Sequence, residues 1–94
     1  MAGALDRQIE IVSDVFARPF DGELVVLDLA GGEYYGLDAI GAEVWKALEQ
    51  GTSLASVVDR LLVEYEVDRS TLEADILALL SELETKGLVR LSPP

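Results

Sequence analysis

Residues 21–45 read DGELVVLDLAGGEYYGLDAIGAEVW, and the hydrophobic period changes partway along them. Glu23 to Leu29 is rich in branched residues and lies between Asp21-Gly22 and Ala30-Gly31-Gly32, the signature of a strand between two turns. Glu33 to Leu37 returns as the next strand. Beyond Leu37 the repeat lengthens to about three and a half residues. Ile40, Val44, Trp45 and Leu48 then share one helical face, with Asp38 as N-cap and Gly51 as the stop.

Working upstream, Val15 to Phe20 is β-prone, and Pro19 suits an edge strand or a strand end. Three strands in a meander are about the smallest sheet that holds together once helices cover one face. Residues 1–11 show little beyond the alternation of Ile9 and Ile11. They are expected as an N-terminal segment preceding a single domain over residues 12–92.

Downstream, Thr52 or Ser53 caps a second helix in which Leu54, Val57, Val58, Leu61, Leu62 and Tyr65 recur at helical spacing. Asp68 or Ser70 opens a third helix ending at Gly87, with Ser70 and Glu73 spaced as a capping box. Leu88 to Leu91 is expected as a short final strand. The fold class is therefore α+β and winged-helix-like: a three-stranded antiparallel sheet followed by a three-helix bundle.

Composition removes several functions. The chain has no cysteine and no histidine, so thiolate chemistry, cysteine zinc sites and the usual neutral-pH base are absent. Carboxylates spread along helices are normally solvated faces. The reading is a non-enzyme with no metal and no cofactor. No apolar run reaches the roughly 18 residues of a membrane span, and the start MAGALDRQIEIV lacks signal-peptide character. A cytoplasmic location is expected.

Eighteen acidic against seven basic residues give a formal net charge of −11. Such a surface repels nucleic acid and anionic membranes and attracts basic peptides or proteins. The third helix makes the same point. A winged helix by default reads DNA, yet Glu73, Asp75, Glu82 and Glu84 stand against Lys86 alone between Ser70 and Lys86. Carrier proteins are also short and acidic, but no serine here has the setting that accepts a phosphopantetheine arm.

Two features remain for function. On the third helix Leu72, Ile76, Leu79 and Leu83 form a stripe that Leu77 and Leu80 widen. That width suits either tight burial or an apolar groove. On the strand Glu33–Leu37, Tyr35 and Leu37 share one face while Tyr34 and Gly36 share the other. If this strand is the open edge, its free backbone groups can template an incoming strand. The same openness allows pairing with a second copy, so monomer and homodimer both stand.

The order and spacing of these segments resemble the PqqD-like family, the peptide-recognition domains (RiPP recognition elements) of ribosomal peptide natural-product biosynthesis. The likeness runs over residues 12–91. It rests on Asp21-Gly22, Leu27-Asp28, Tyr34 with Leu37, Gly41 with Val44-Trp45, Gly51-Thr52, and Leu83 with Gly87-Leu88. Asp38 stands where the family favours asparagine. The first helix ends ALEQG rather than in the cysteine-containing form of the pyrroloquinoline quinone branch, so the stand-alone recognition proteins of lasso-peptide pathways look closer.

The resemblance implies a non-catalytic protein that binds a precursor's leader peptide and presents it to a leader peptidase or modifying enzyme. By position it makes Glu33, Tyr34, Tyr35, Gly36 and Leu37 the pairing edge. Leu72, Asp75, Ile76, Leu79 and Leu80 become groove candidates, with Asp75 or Glu73 available to a basic leader side chain. The alternatives are a PqqD-type peptide chaperone and a winged-helix interaction module of another pathway.

Overall fold

A computed structural model describes residues 9–91. Along the chain run β1 (Ile9–Ile11), β2 (Val15–Phe20), β3 (Glu23–Asp28), β4 (Glu33–Leu37), α1 (Ala39–Gln50), α2 (Leu54–Glu64), α3 (Arg69–Thr85) and β5 (Val89–Leu91). The expected three strands and three helices are all present. Pairing follows the order β2-β3-β4, antiparallel throughout, so β2 with its Pro19 and β4 are the two edges.

The chain also uses Ile9–Ile11, which the sequence marked only by its alternation. As β1 it pairs antiparallel with β5, Ile9 opposite Leu91, in a separate two-stranded ribbon. Ile9 and Ile11 pack against the buried residues of the sheet. The fold thus reaches back to residue 9, while residues 1–8 and 92–94 of the expected segments lie outside the described residues.

Local chemistry accounts for the joints. Asp21 and Gly22 both adopt positive φ, 52° and 81°, the tight hairpin turn that fits the strand twist. Asp38 Oδ1 accepts from the Gly41 N–H at 2.8 Å, capping α1. Gly41 is small for a reason: a Cβ there would come within 3.3 Å of the Leu37 side chain, where α1 starts against the end of β4. Ser53, the second of the two candidate caps, accepts from Ser56 N–H at 3.1 Å. At α3 the cap position falls to Asp68, and no side-chain cap bond forms there. The Ser70–Glu73 capping box is not made, because Ser70 already lies inside the helix and Glu73 instead pairs with Arg69 at 3.2 Å.

Two apolar clusters share α1 and α3. Val44, Ala47, Leu54, Val57, Val58, Leu61, Leu72, Ile76 and Leu80 fill the space between the helices. Val15, Val26, Leu37, Trp45, Leu83, Leu88 and Val89 fill the space between helices and sheet. Trp45 is 1 % exposed, and its indole N–H donates to Glu49 Oε2 at 3.2 Å. Leu79 touches both clusters. The N-terminal half of α3 therefore belongs to the bundle, and its C-terminal half rests beside the sheet. Among the described residues no helix is long and apolar enough to cross a membrane.

Candidate functional site

The backbone of β4 sets the site. The Leu29 N–H donates to the Asp14 carbonyl at 3.0 Å, and these residues continue the β2–β3 register. In an antiparallel ladder such a closely bonded pair alternates with an open one. Odd-numbered residues of β3 thus bond toward β2 and even-numbered ones toward β4. Asp28, Val26 and Leu24 stand opposite Glu33, Tyr35 and Leu37, so those three residues of β4 are bonded inward. Tyr34 and Gly36 consequently aim their N–H and C=O groups at the free edge. A strand laid there would meet two donors and two acceptors.

Side chains divide along the same strand. Leu37 is 2 % exposed and Tyr35 half-buried, both against the sheet cluster, whereas Tyr34 is 79 % exposed on the opposite face. Gly36 shares that outer face, and a Cβ built on it would meet nothing within 4 Å.

The helix meets β4 through Tyr35. Lys86 Nζ lies 5.2 Å from the centre of its ring, a cation–π contact. Burial, reinforced by hydrogen bonding to Glu82 and by the charges of Glu82 and Asp38, raises the Tyr35 hydroxyl above the ordinary tyrosine value. It stays protonated at neutral pH and is held against α3. Asp75, Leu79, Glu82 and Lys86 follow one another at spacings of four, three and four, so they line one flank of α3. Asp75, Glu82 and Lys86 are exposed and Leu79 half-buried.

The ten sequence candidates are placed as follows. Glu33 to Leu37 form the edge strand itself. Leu79 and Asp75 lie on the α3 flank that continues to Glu82 and Lys86. Leu72, Ile76 and Leu80 are 2 %, 1 % and 2 % exposed inside the helical cluster, where they hold α3 in place and offer no side-chain surface. Glu82 and Lys86, which are not among the sequence candidates, extend the same flank and approach Tyr35. Their spacing from Asp75 and Leu79 is the signal that finds them, once β4 is known to face the end of α3 rather than its start. Among the described residues no group of His, Cys, Asp or Glu is arranged to hold a metal.

These features define a class: a winged-helix-like α+β domain in which a sheet-edge strand is flanked by a helix, the geometry that strand addition uses. The family model described as coenzyme PQQ synthesis protein D (PqqD) matches residues 23–89, and the chain belongs to that family.

Among solved structures it is similar to TbiB1 in complex with the TbiA(β) leader peptide, with a TM-score of 0.80 and 38 % identity over 90 % of this chain and 99 % of that one. It is likewise similar to a lasso peptide synthetase B1 complexed with the leader peptide, with a TM-score of 0.81 and 32 % identity over 88 % and 98 % of the two chains. The PqqA binding proteins of Rhodopseudomonas palustris strains HaA2 and TIE-1 are 33 % and 31 % identical over 52 residues. Those matches span 55 % of this chain and 51 % of each relative, about half of either length.

Proposed function

We propose that this protein is a non-catalytic leader-peptide-binding protein of lasso-peptide or related RiPP biosynthesis. It captures a ribosomal precursor peptide by strand addition to β4 and delivers it to a leader peptidase or modifying enzyme in the cytoplasm. The observation that carries this reading is the free edge at Tyr34 and Gly36 beside the Asp75–Lys86 flank of α3. It occurs in a fold whose neighbours, over nearly their whole length, were solved with leader peptides bound.

The magnitudes are adequate. Four backbone hydrogen bonds at about 0.5–1.5 kcal/mol each supply roughly 2–6 kcal/mol. One buried apolar anchor against Leu79 adds about 1.5–3 kcal/mol. A micromolar complex needs about 8 kcal/mol, so backbone pairing plus one or two anchors reaches that range. A basic leader residue near Asp75 or Glu82 adds at most about 1 kcal/mol, because both carboxylates are exposed. Their effect is on register and encounter rate.

A second reading, a PqqD-type chaperone of pyrroloquinoline quinone biosynthesis, is favoured by the family description and by the PqqA binding relatives. The two solved neighbours with bound leader peptides, one of them a lasso peptide synthetase B1, match over far more of the chain, which favours the first reading. The deciding experiment titrates labelled protein with the leader peptide of the associated lasso precursor and, separately, with PqqA. The proposal expects micromolar or tighter binding of the lasso leader, with amide shifts over residues 33–37 and 75–86. Tighter binding of PqqA supports the second reading, and shifts confined to α1 reject the site.

A further inference from the structure

The face of the sheet turned away from the helices is apolar, and peptide capture at the β4 edge does not cover it. The register sets Phe16 of β2, Leu27 of β3 and Tyr34 of β4 in one row across all three strands. Phe20 and Val25 lie on the same face. Phe16 is 51 %, Phe20 70 % and Tyr34 79 % exposed. Four of the six aromatic residues lie in this sheet, and three of them point to solvent. A sheet normally turns polar side chains outward, so a contiguous apolar row with two exposed aromatics marks an interaction surface.

The border of this face is acidic. Asp14 precedes β2, Asp21 and Glu23 sit at the first hairpin, and Glu33 opens β4, all exposed. Arg18 is the cation on this face among the described residues, diagonal to Glu23 across the hairpin. A second copy stacked here would bring the same carboxylates together on two chains of formal charge −11 each. A membrane surface rich in anionic lipid is repelled by the same charges. What fits is a protein with an apolar centre and a rim of lysine and arginine.

We propose that the outer face of β2-β3-β4, centred on Phe16, Phe20, Leu27 and Tyr34, docks the enzyme that receives the peptide, through an apolar patch on that enzyme bordered by basic residues. This inference rests on the reading of the chain as a leader-delivery protein. It adds to that reading that one strand serves both partners. The backbone groups of Tyr34 face the free edge, where the leader pairs, while its side chain belongs to the outer face. Leader and enzyme can therefore be held at once.

The test uses the full chain and the purified leader peptidase or modifying enzyme encoded with the precursor. Affinities for enzyme and for fluorescent leader peptide are measured in parallel for wild type, Phe16→Asp, Phe20→Asp and Glu23→Lys. Phe16 and Phe20 lie on β2, the edge strand far from the leader site, and are exposed, so the fold and that site are left intact. Each Phe→Asp change is expected to weaken enzyme binding about ten-fold or more while leader affinity changes less than about two-fold. Glu23→Lys is expected to slow association with the enzyme, and added salt is expected to slow it in wild type. The proposal is overturned if wild type does not bind the enzyme, or if the Phe→Asp variants bind it as wild type does. It is also overturned if sedimentation shows a dimer that Phe16→Asp dissolves. Loss of leader binding in wild type would instead reject the underlying reading, so the two failures are distinguishable.

Discussion

Replacing Gly36 by proline isolates strand addition from every other contribution to binding. The Gly36 N–H points to the free edge and takes no part in the β3–β4 ladder, since Tyr35 and its inward-bonded neighbours carry that pairing. Proline is tolerated on an edge strand in that situation. Gly36 does not use the positive-φ region, and its outer side is open. The fold should survive, with a melting temperature within about 5 °C of wild type. The leader loses one backbone bond, about 0.5–1.5 kcal/mol, and its facing carbonyl is left unsatisfied at a further cost of about 1–3 kcal/mol. The combined loss of about 1.5–4.5 kcal/mol corresponds to about a ten-fold or greater rise in Kd. Gly36→Ala is the matched control. It keeps the N–H, its Cβ meets nothing within 4 Å, and leader affinity should stay within about two-fold. Fluorescence anisotropy with a labelled leader reads binding, and circular dichroism confirms folding. A folded Gly36→Pro variant that binds within about two-fold of wild type would refute strand addition at this edge.

Two adjacent leucines should separate groove from core. Leu80→Ala should cost about 2–5 kcal/mol of stability, because Leu80 is 2 % exposed in the helical cluster, and denaturant melts measure it. Leu79→Ala, at a half-buried position on the flank facing β4, should cost less stability and weaken leader binding more; equal profiles would erase the distinction. Asp38→Ala removes a formed cap and should cost about 1 kcal/mol, whereas Ser70→Ala should be near neutral, which urea midpoints will show. Tyr35 gives the pH dependence. Its folded pKa lies above its unfolded value, so the unfolded chain loses the proton first and stability falls as pH rises above about 10. Tyr35→Phe should flatten that fall in urea midpoints taken from about pH 9 upward, and an unchanged slope would contradict the Tyr35–Glu82 contact.

The strands of the meander, their turns and the limits of α1 were legible because each is written locally, whereas the Ser70–Glu73 box misplaced the start of α3. Asp21-Gly22 can close a hairpin, Asp38 and Gly51 bracket a helix, and the period changes between them. What the residues could not declare was pairing across the chain. Ile9–Ile11 is too short to stand out, and it becomes a strand only because β5, at the other end of the fold, returns beside it. The same limit shifted the groove. A helical wheel shows that Leu72, Ile76 and Leu80 lie along one stripe, but it cannot tell that this stripe meets α1 and α2. Only the meeting of Leu83 and Tyr35 in one cluster places the C-terminal half of α3, with Glu82 and Lys86, beside β4. The apolar outer face was hidden for a related reason. Phe16, Leu27 and Tyr34 lie in three different strands, and register alone makes them neighbours.

Amide hydrogen exchange of Tyr34 and Gly36, followed residue by residue with and without leader peptide, tests the central claim most directly. In the free protein these two amides should exchange rapidly while those of Tyr35 and Leu37 are protected by the ladder with β3. Saturating leader peptide should slow exchange at Tyr34 and Gly36 by about ten-fold or more, as their N–H groups enter a new ladder. A leader that binds while both amides continue to exchange at their free rates would contradict capture by strand addition.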